Sequence, residues 1–344
     1  MKKTTENRDH RAVAYWLLFT AFSVFAMVMV GGATRLTESG LSMVNWNPVT
    51  GIFPPLNDDA WAQVFADYKT SPQYQLVNAG MSLDAFKGIF YWEWGHRLLG
   101  RLIGLFFAVP LLWFWLRRKI PEGYKGKLVG LFLLGGSQGL LGWYMVMSGL
   151  VNEPAVSHYR LAAHLMLALF IFAALLWTAL SLLRPYPGGQ AKAIKPLVYA
   201  AALVLTLQLV MGALVAGLRA GHIFNSWPLM GDGFIPPGMM TIVPWWRNLL
   251  DNAVTVQFDH RMGAYILSAL VAVIFMKLRS ERGSIRHAVQ LLGLSVLLQM
   301  ALGIVMLLKS VPVSWGTAHQ GGGVLVLAAL INLMHHQRGT NNGK

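Results

Sequence analysis

The chain has 344 residues, 55% of them hydrophobic and 12% charged, with a formal net charge of +14 and no cysteine. So apolar a composition excludes a soluble domain and marks a polytopic membrane protein. Disulfides and thiolate metal sites are excluded as well, so any metal or haem must be held by His, Met, carboxylate or backbone groups.

Apolar stretches of about 20 residues, enough to cross a bilayer, fall near 13–33, 92–116, 127–149, 158–183, 196–218, 256–277, 288–309 and 315–335. They predict an all-α polytopic membrane protein of eight transmembrane helices, with both termini on one side. The first stretch follows Lys2, Lys3, Arg8 and Arg11 and ends at Gly31-Gly32-Ala33. It resembles a signal peptide only superficially, because the run is too long for such a core and has a counterpart in the fifth span. Basic residues gather on the side of the termini: four at the N-terminus, five between Arg117 and Lys127, then Arg184, Lys192 and Lys195, four between Lys277 and Arg286, and finally Arg338 and Lys344. The positive-inside rule turns these segments toward the cytoplasm. The basic balance therefore reflects topology and anionic lipid, not a nucleic-acid partner.

The outward loop near 36–90 holds Asp58, Asp59, Asp67 and Asp84 and is expected to form short amphipathic helices. Its counterpart near 220–255, with Pro236-Pro237-Gly238 and Trp245-Trp246, suits the membrane interface. Arg184-Pro185-Tyr186-Pro187-Gly188-Gly189 reads as a linker. It divides the chain into halves 1–185 and 186–344, and an internal repeat supports that division. Gly31-Gly32-Ala33-Thr34-Arg35 followed by Asn45-Trp46-Asn47-Pro48 matches the segment from Gly212 to Arg219 followed by Asn225-Ser226-Trp227-Pro228. Trp94-Gly95-His96-Arg97 matches Phe258-Asp259-His260-Arg261, Gly139-Leu140-Leu141-Gly142 resembles Met300-Ala301-Leu302-Gly303, and Arg160 to His164 answers Trp315 to His319. Four spans return the chain to its starting side, so the halves are two four-helix bundles related by a pseudo-two-fold axis along the membrane normal.

Of the ten histidines, His10, His222, His287, His335 and His336 fall at termini or loops and are expected to be solvated or interfacial. His96, His164, His260 and His319 differ: each lies a few residues inside an even-numbered span, and each has a repeat mate. The even spans all run the same way, so the four imidazoles share one depth, one pair per bundle. That arrangement clamps a flat tetrapyrrole with two axial nitrogens on iron. Zinc is disfavoured, because no third His or close carboxylate completes a tetrahedral set in either half. His158, six residues before His164, points to a different face. Arg97, Arg160 and Arg261, with Arg35 and Arg219 at the outer ends of the first and fifth spans, are candidates for binding haem propionates through their guanidinium forks. The halves are not equivalent, since Glu93 in the first is answered by Gln257 in the second. A carboxylate in one site only points to divided labour, with chemistry beside an acid/base in one half and electron transfer or structure in the other. Glu93 as a structural partner of Arg97 or Arg101 is the alternative.

These motifs together resemble the heme A synthases, enzymes that convert heme O to heme A for cytochrome oxidases. The resemblance runs from Gly31-Gly32-Ala33-Thr34-Arg35 through Glu93-Trp94-Gly95-His96-Arg97 and Phe258-Asp259-His260-Arg261 to Ala318-His319-Gln320-Gly321-Gly322. It implies that His96 and His164 face the substrate heme O, that Glu93 is catalytic, and that His260 and His319 ligate a resident heme b. It also implies an inner-membrane location and a heme O synthase as neighbour. Some members carry a cysteine pair in an outward loop, so this chain resembles the cysteine-free group of Gram-negative bacteria and mitochondria. The reaction implied takes a porphyrin methyl to a formyl through hydroxylated stages. Iron held by two histidines has no open position for oxygen, so either His96 or His164 leaves, or electrons are withdrawn from the macrocycle and water captures the resulting cation. Two alternatives belong to other classes: a non-catalytic membrane haem carrier, and a b-type cytochrome quinol oxidoreductase, which the shared depth of the histidines disfavours. The electron donor and a homo-oligomer are left open by the sequence.

Overall fold

Apolar side chains recur around the whole circumference of the long helices, because one face meets other helices and the remainder meets lipid. The computed structural model describes residues 2–46, 50–150, 154–184 and 192–338, with the side chains of 2–8 and 192 excluded. Asn47-Pro48 of the repeat, the linker from Pro185 to Gly189, the boundary between the halves, Lys344, and the side chains of Lys2, Lys3, Arg8 and Lys192 lie outside what is described.

Eleven α-helices follow in order among the described residues: α1 Lys2–Leu36, α2 Asp58–Lys69, α3 Pro72–Leu76, α4 Leu83–Leu116, α5 Lys125–Met147, α6 His158–Leu183, α7 Lys195–Gly217, α8 Asn248–Asp251, α9 Ala253–Leu278, α10 Ser284–Leu308 and α11 Val313–His336. Eight of them, α1, α4, α5, α6, α7, α9, α10 and α11, are long and apolar enough to cross a membrane. The chain is a multi-pass, all-helical membrane protein. The predicted spans agree with the observed helices within a few residues except at the start of α1, which begins at Lys2 instead of near 13, and at the start of α4, which begins at Leu83 instead of near 92. Its first two turns are amphipathic and lie outside an apolar window. Ser82 caps them by accepting from the Ala85 amide, and Phe86 and Phe90 pack on Trp61, Phe65 and Tyr68. The outward loop thus forms short helices, as expected, with Asn57 and Ser71 capping α2 and α3.

Helix contacts join α1, α4, α5 and α6 in one closed ring and α7, α9, α10 and α11 in another, with α1 and α6 meeting α7 and α11 between them. Each ring has its own apolar core toward the end that carries the termini. One core includes Leu17, Phe114, Leu128 and Leu175; the other includes Leu205, Ile274, Leu292 and Leu330. The outward ends hold polar groups, and several of these tie the rings together. Arg35 donates to the carbonyls of Ala216 and Gly217, the last turn of α7. Two residues beyond the ends of α1 and α7, Glu38 and Arg219 both take left-handed φ, +57° and +53°, and form an ion pair at 3.0 Å. The repeat makes these positions equivalent, so this pair bridges the rings symmetrically. Asp251 accepts from Tyr159 and Arg247 and meets His158 Nε2 at 3.1 Å. The hydroxyl of Tyr159, followed by Arg247 and His158, holds the Asp251 carboxyl below its ordinary value of 3.8 against the opposing effect of burial.

At the opposite end, the prediction for two histidines fails. His335 and His336 are not solvated: they lie in the last turn of α11 at 0% and 5% exposure. Arg184 reaches over them, 3.0 Å from His336 Nε2 and donating to Asn332 Oδ1. Helix α11 is packed on three sides, so its last turn does not fray into water.

Candidate functional site

Each of the four predicted histidines rests on a glycine of the preceding long helix. A Cβ built on Gly31, Gly142, Gly212 or Gly303 would lie 3.1, 2.9, 3.1 or 2.8 Å from Cε1 of His96, His164, His260 or His319 respectively. Only glycine admits imidazole that closely. Every one of these glycines stands five residues before the end of its helix, at Leu36, Met147, Gly217 or Leu308. At about 1.5 Å per residue each ring meets its glycine about 7.5 Å short of that helix's end, the same position in all four. His96 and His164 come from α4 and α6 of one ring, and His260 and His319 from α9 and α11 of the other.

The second pair faces itself closely, with ring centroids 6.4 Å apart and planes at 81°. Two metal–nitrogen bonds of about 2 Å, plus about 1.1 Å from each nitrogen to its ring centre, span about 6.2 Å, so this pair has the spacing of a bis-imidazole metal centre. His96 lies within electrostatic reach of His164. No group of three or more His, Asp or Glu that could hold a metal occurs among the described residues.

Three histidines carry a second support that the sequence reading missed. Gln138, Gln208 and Gln299, each four residues before the supporting glycine, donate through Nε2 to the backbone carbonyls of His164, His260 and His319 at 2.9 Å. The same amides lie 3.3, 3.1 and 3.2 Å from the respective Nδ1 atoms. The signal was present as Gln-x-x-x-Gly in the third, fifth and seventh spans.

Of the charged candidates, Glu93, Arg97 and Arg261 turn toward loops, whereas Arg35 and Arg160 meet helices. Glu93, 3% exposed, accepts from Arg97 Nε and Nη2 at 3.1 and 2.6 Å, from Ser42 Oγ at 2.7 Å and from the Met43 amide at 2.8 Å. Arg97 also donates to the carbonyls of Met43 and Asn45. In the other ring Arg261 donates to the carbonyls of Phe224, Ser226 and Leu229, and Gln257 to that of Phe224. Glu93–Arg97 and Gln257–Arg261 are thus equivalent clamps, each fastening the outward loop over its own histidine pair. Arg160 stacks 3.8 Å above the Tyr144 ring and donates to the Tyr144 carbonyl. Arg35 and Arg219 lie between the rings, in the contacts described above. His158 also lies between them, with its Cβ against Gly217.

The chain matches the cytochrome oxidase assembly protein family (COX15-CtaA) over residues 14–331. It is 47% identical over 338 residues to a protein from Parvibaculum lavamentivorans named heme A synthase, covering 97% of this chain and 96% of that one. It is 47% identical to a heme A synthase of Nitrosospira multiformis, covering 95% and 94%, and 51% identical over 324 residues to one of Rhodopseudomonas palustris, covering 93% and 89%.

Proposed function

The chain belongs to the COX15-CtaA family of cytochrome oxidase assembly proteins, and from that premise we infer that it is a heme A synthase, an oxidoreductase that converts the methyl group of heme O to the formyl group of heme A. The observation that carries this reading is the pair of level imidazole pairs, each seated on its own glycines inside its own helical ring. A non-catalytic haem carrier could manage with one haem site. Methyl to formyl is a four-electron oxidation that installs one oxygen atom, and it is served by a substrate site beside a second redox centre.

The ring α1, α4, α5 and α6 is read as the substrate half and the ring α7, α9, α10 and α11 as the cofactor half. His260 and His319, at bis-imidazole spacing, hold a resident heme b, which supplies one-electron transfer when bound. His96 and His164 receive heme O. Both are supported from behind by glycine, which positions a ligand without burying another polar group. Glu93 is the acid/base or charge-stabilising group of the substrate half. Its four accepted hydrogen bonds mean that taking up a proton requires giving up one of them, so Glu93 acts with Arg97 and the 42–45 loop as one unit. Arg97, Arg160 and Arg35 on the substrate side, and Arg261 and Arg219 on the cofactor side, are the candidates for propionates, which would share these guanidinium groups with the carbonyl, ring and carboxylate contacts described above. On this reading the protein lies in the cell inner membrane with both termini cytoplasmic, as its basic segments favour, receives its substrate from a heme O synthase, and takes an electron donor whose identity is open.

Expression with a heme O source in air, followed by solvent extraction and separation of the haems, tests the reading. Heme A in the extract is expected. Unmodified haem alone identifies a carrier instead.

A further inference from the structure

The end of the bundle opposite the histidine pairs holds a polar cluster that the haem reading does not use. An open cavity of about 550 Å³ there is lined by Arg184, Ser284, His287, Leu291, Asn332 and His336. Its size falls within the roughly 300–1,000 Å³ of ligand clefts, and inorganic phosphate alone would leave most of it empty. Its polar lining presents donors. Arg184 meets His336 Nε2 and Asn332 Oδ1, each at 3.0 Å, and reaches both through Nη1. A guanidinium can only donate, so His336 Nε2 accepts and the ring proton sits on Nδ1. That proton has one partner among the described residues, Ser284 Oγ at a long 3.5 Å. Asn332 accepts through Oδ1, which leaves its amide to donate. Arg184 Nε and Nη2 make no hydrogen bond among the described residues, and His287 is exposed. No carboxylate lines the cavity. Of the acidic side chains described at this end, Asp9 pairs with Lys119 at 3.4 Å, and Glu122 and Glu281 stand outside the lining. A cavity of donors around a guanidinium is complementary to an anion.

The lipid-facing surface narrows the class of that anion. Leu291 lines the cavity and opens an exposed stripe on α10 that continues through Leu294 and Leu298. Steps of three and four residues keep these side chains on one helix face, and α10 carries that face from the cavity toward the middle of the membrane. We propose that the cavity binds the phosphate of an anionic glycerophospholipid, held by Arg184, His336, His287 and Ser284, with its acyl chains along Leu291, Leu294 and Leu298. A zwitterionic headgroup fits less well, because its ammonium finds no carboxylate. Arg184 follows α6 of one ring, whereas the other donors belong to α10 and α11 of the second. The lipid therefore clamps the two rings together at this end.

The test uses purified full-length protein in a non-ionic detergent, with phosphatidylglycerol as the probe and the rise in melting temperature against lipid concentration as the readout. Saturable stabilisation by phosphatidylglycerol is expected, with phosphatidylcholine much weaker and inorganic phosphate inactive at the same concentrations. Arg184→Gln is expected to weaken the apparent affinity roughly tenfold, the ratio that one charge-assisted hydrogen bond supplies. His287→Gln changes an exposed ring and is expected to weaken it about threefold. Should Arg184→Gln melt early without lipid, His287→Gln alone decides. Arg286→Gln removes a charge from the same turn of α10 outside the lining, and is expected to leave the affinity within about twofold. Equal weakening by Arg286→Gln and the lining variants, or affinity unmoved by the lining variants, overturns the proposal. So does phosphatidylcholine binding as tightly as phosphatidylglycerol, which would reduce the cavity to an apolar groove. Stabilisation by inorganic phosphate alone would make it a site for a free anion and overturn the lipid assignment.

Discussion

At the scale of single residues, the glycines behind the imidazoles decide whether a ligand can reach its place. A methyl at Gly303 would stand 2.8 Å from His319 Cε1, well inside van der Waals contact, so the ring or the helix must move. Gly303→Ala is expected to remove at least half of the second-half haem, read as absorbance per protein. Gly135→Ala, where nothing lies within 4 Å, is expected to leave it unchanged. Equal loss in both variants would show that the close approach is unimportant. Glu93→Gln keeps the size of the side chain but removes the charge that meets Arg97, and is expected to leave heme O or a hydroxylated haem in place of heme A. Full conversion by this variant would reduce Glu93 to a loop anchor. The four histidines were legible in the sequence because ionisable groups inside apolar spans are rare and these four recur with the repeat. The glutamines were not, because a single amide in a span is ordinary until its spacing to glycine is compared across all four odd spans.

At the scale of elements, the outward loops are fastened by side chains from the helices they cover. Arg261 is 9% exposed and its donors go to three carbonyls of the 224–229 loop. Arg261→Leu leaves those carbonyls without donors and is expected to destabilise the protein by about 2–4 kcal/mol, seen as a lower melting temperature with early proteolysis of that loop. Cleavage at the unaltered rate would mean that the loop is held by its prolines and aromatic residues alone. Charge near a histidine indicated propionate binding from sequence, yet in the fold Arg97 and Arg261 also spend donors on backbone carbonyls. Arg35 reaches the last turn of α7 for the same reason: a helix end presents carbonyls without intrahelical partners. Such bonds join segments far apart in the chain, and no local pattern announces them. The early start of α4 escaped in a similar way, since the aromatic cluster that stabilises it draws on α2 and α4 together.

At the scale of the whole molecule, the two rings meet along α1, α6, α7 and α11, and their outward rims are tied by Glu38–Arg219 and by Asp251 with His158, Tyr159 and Arg247. Asp251 has a lowered pKa in the folded protein. Its contribution to stability is therefore fully present above the unfolded value near 4 and is lost as the pH falls through the lower folded value. Asp251→Asn is expected to lower the melting temperature by a few degrees at neutral pH and to flatten its dependence on pH below about 4. An unchanged acid slope would place the acid-sensitive contact elsewhere. The eight spans and the repeat were legible because bilayer thickness and duplication both leave patterns in hydropathy and spacing. The burial of His335 and His336 was not, since it depends on α11 lying between α1, α6, α7 and α10, a placement that only the assembled rings define.

The central claim is that two imidazole pairs at one depth hold two haems of different fate, one modified and one retained. The most direct measurement is the haem extracted from purified protein made in the presence of heme O, compared between the unaltered chain, His164→Ala and His319→Ala. The account predicts heme A and heme b together from the unaltered chain, heme b without heme A from His164→Ala, and loss of heme b from His319→Ala. Heme A formed undiminished by His164→Ala, or a single haem lost equally from both variants, would contradict it.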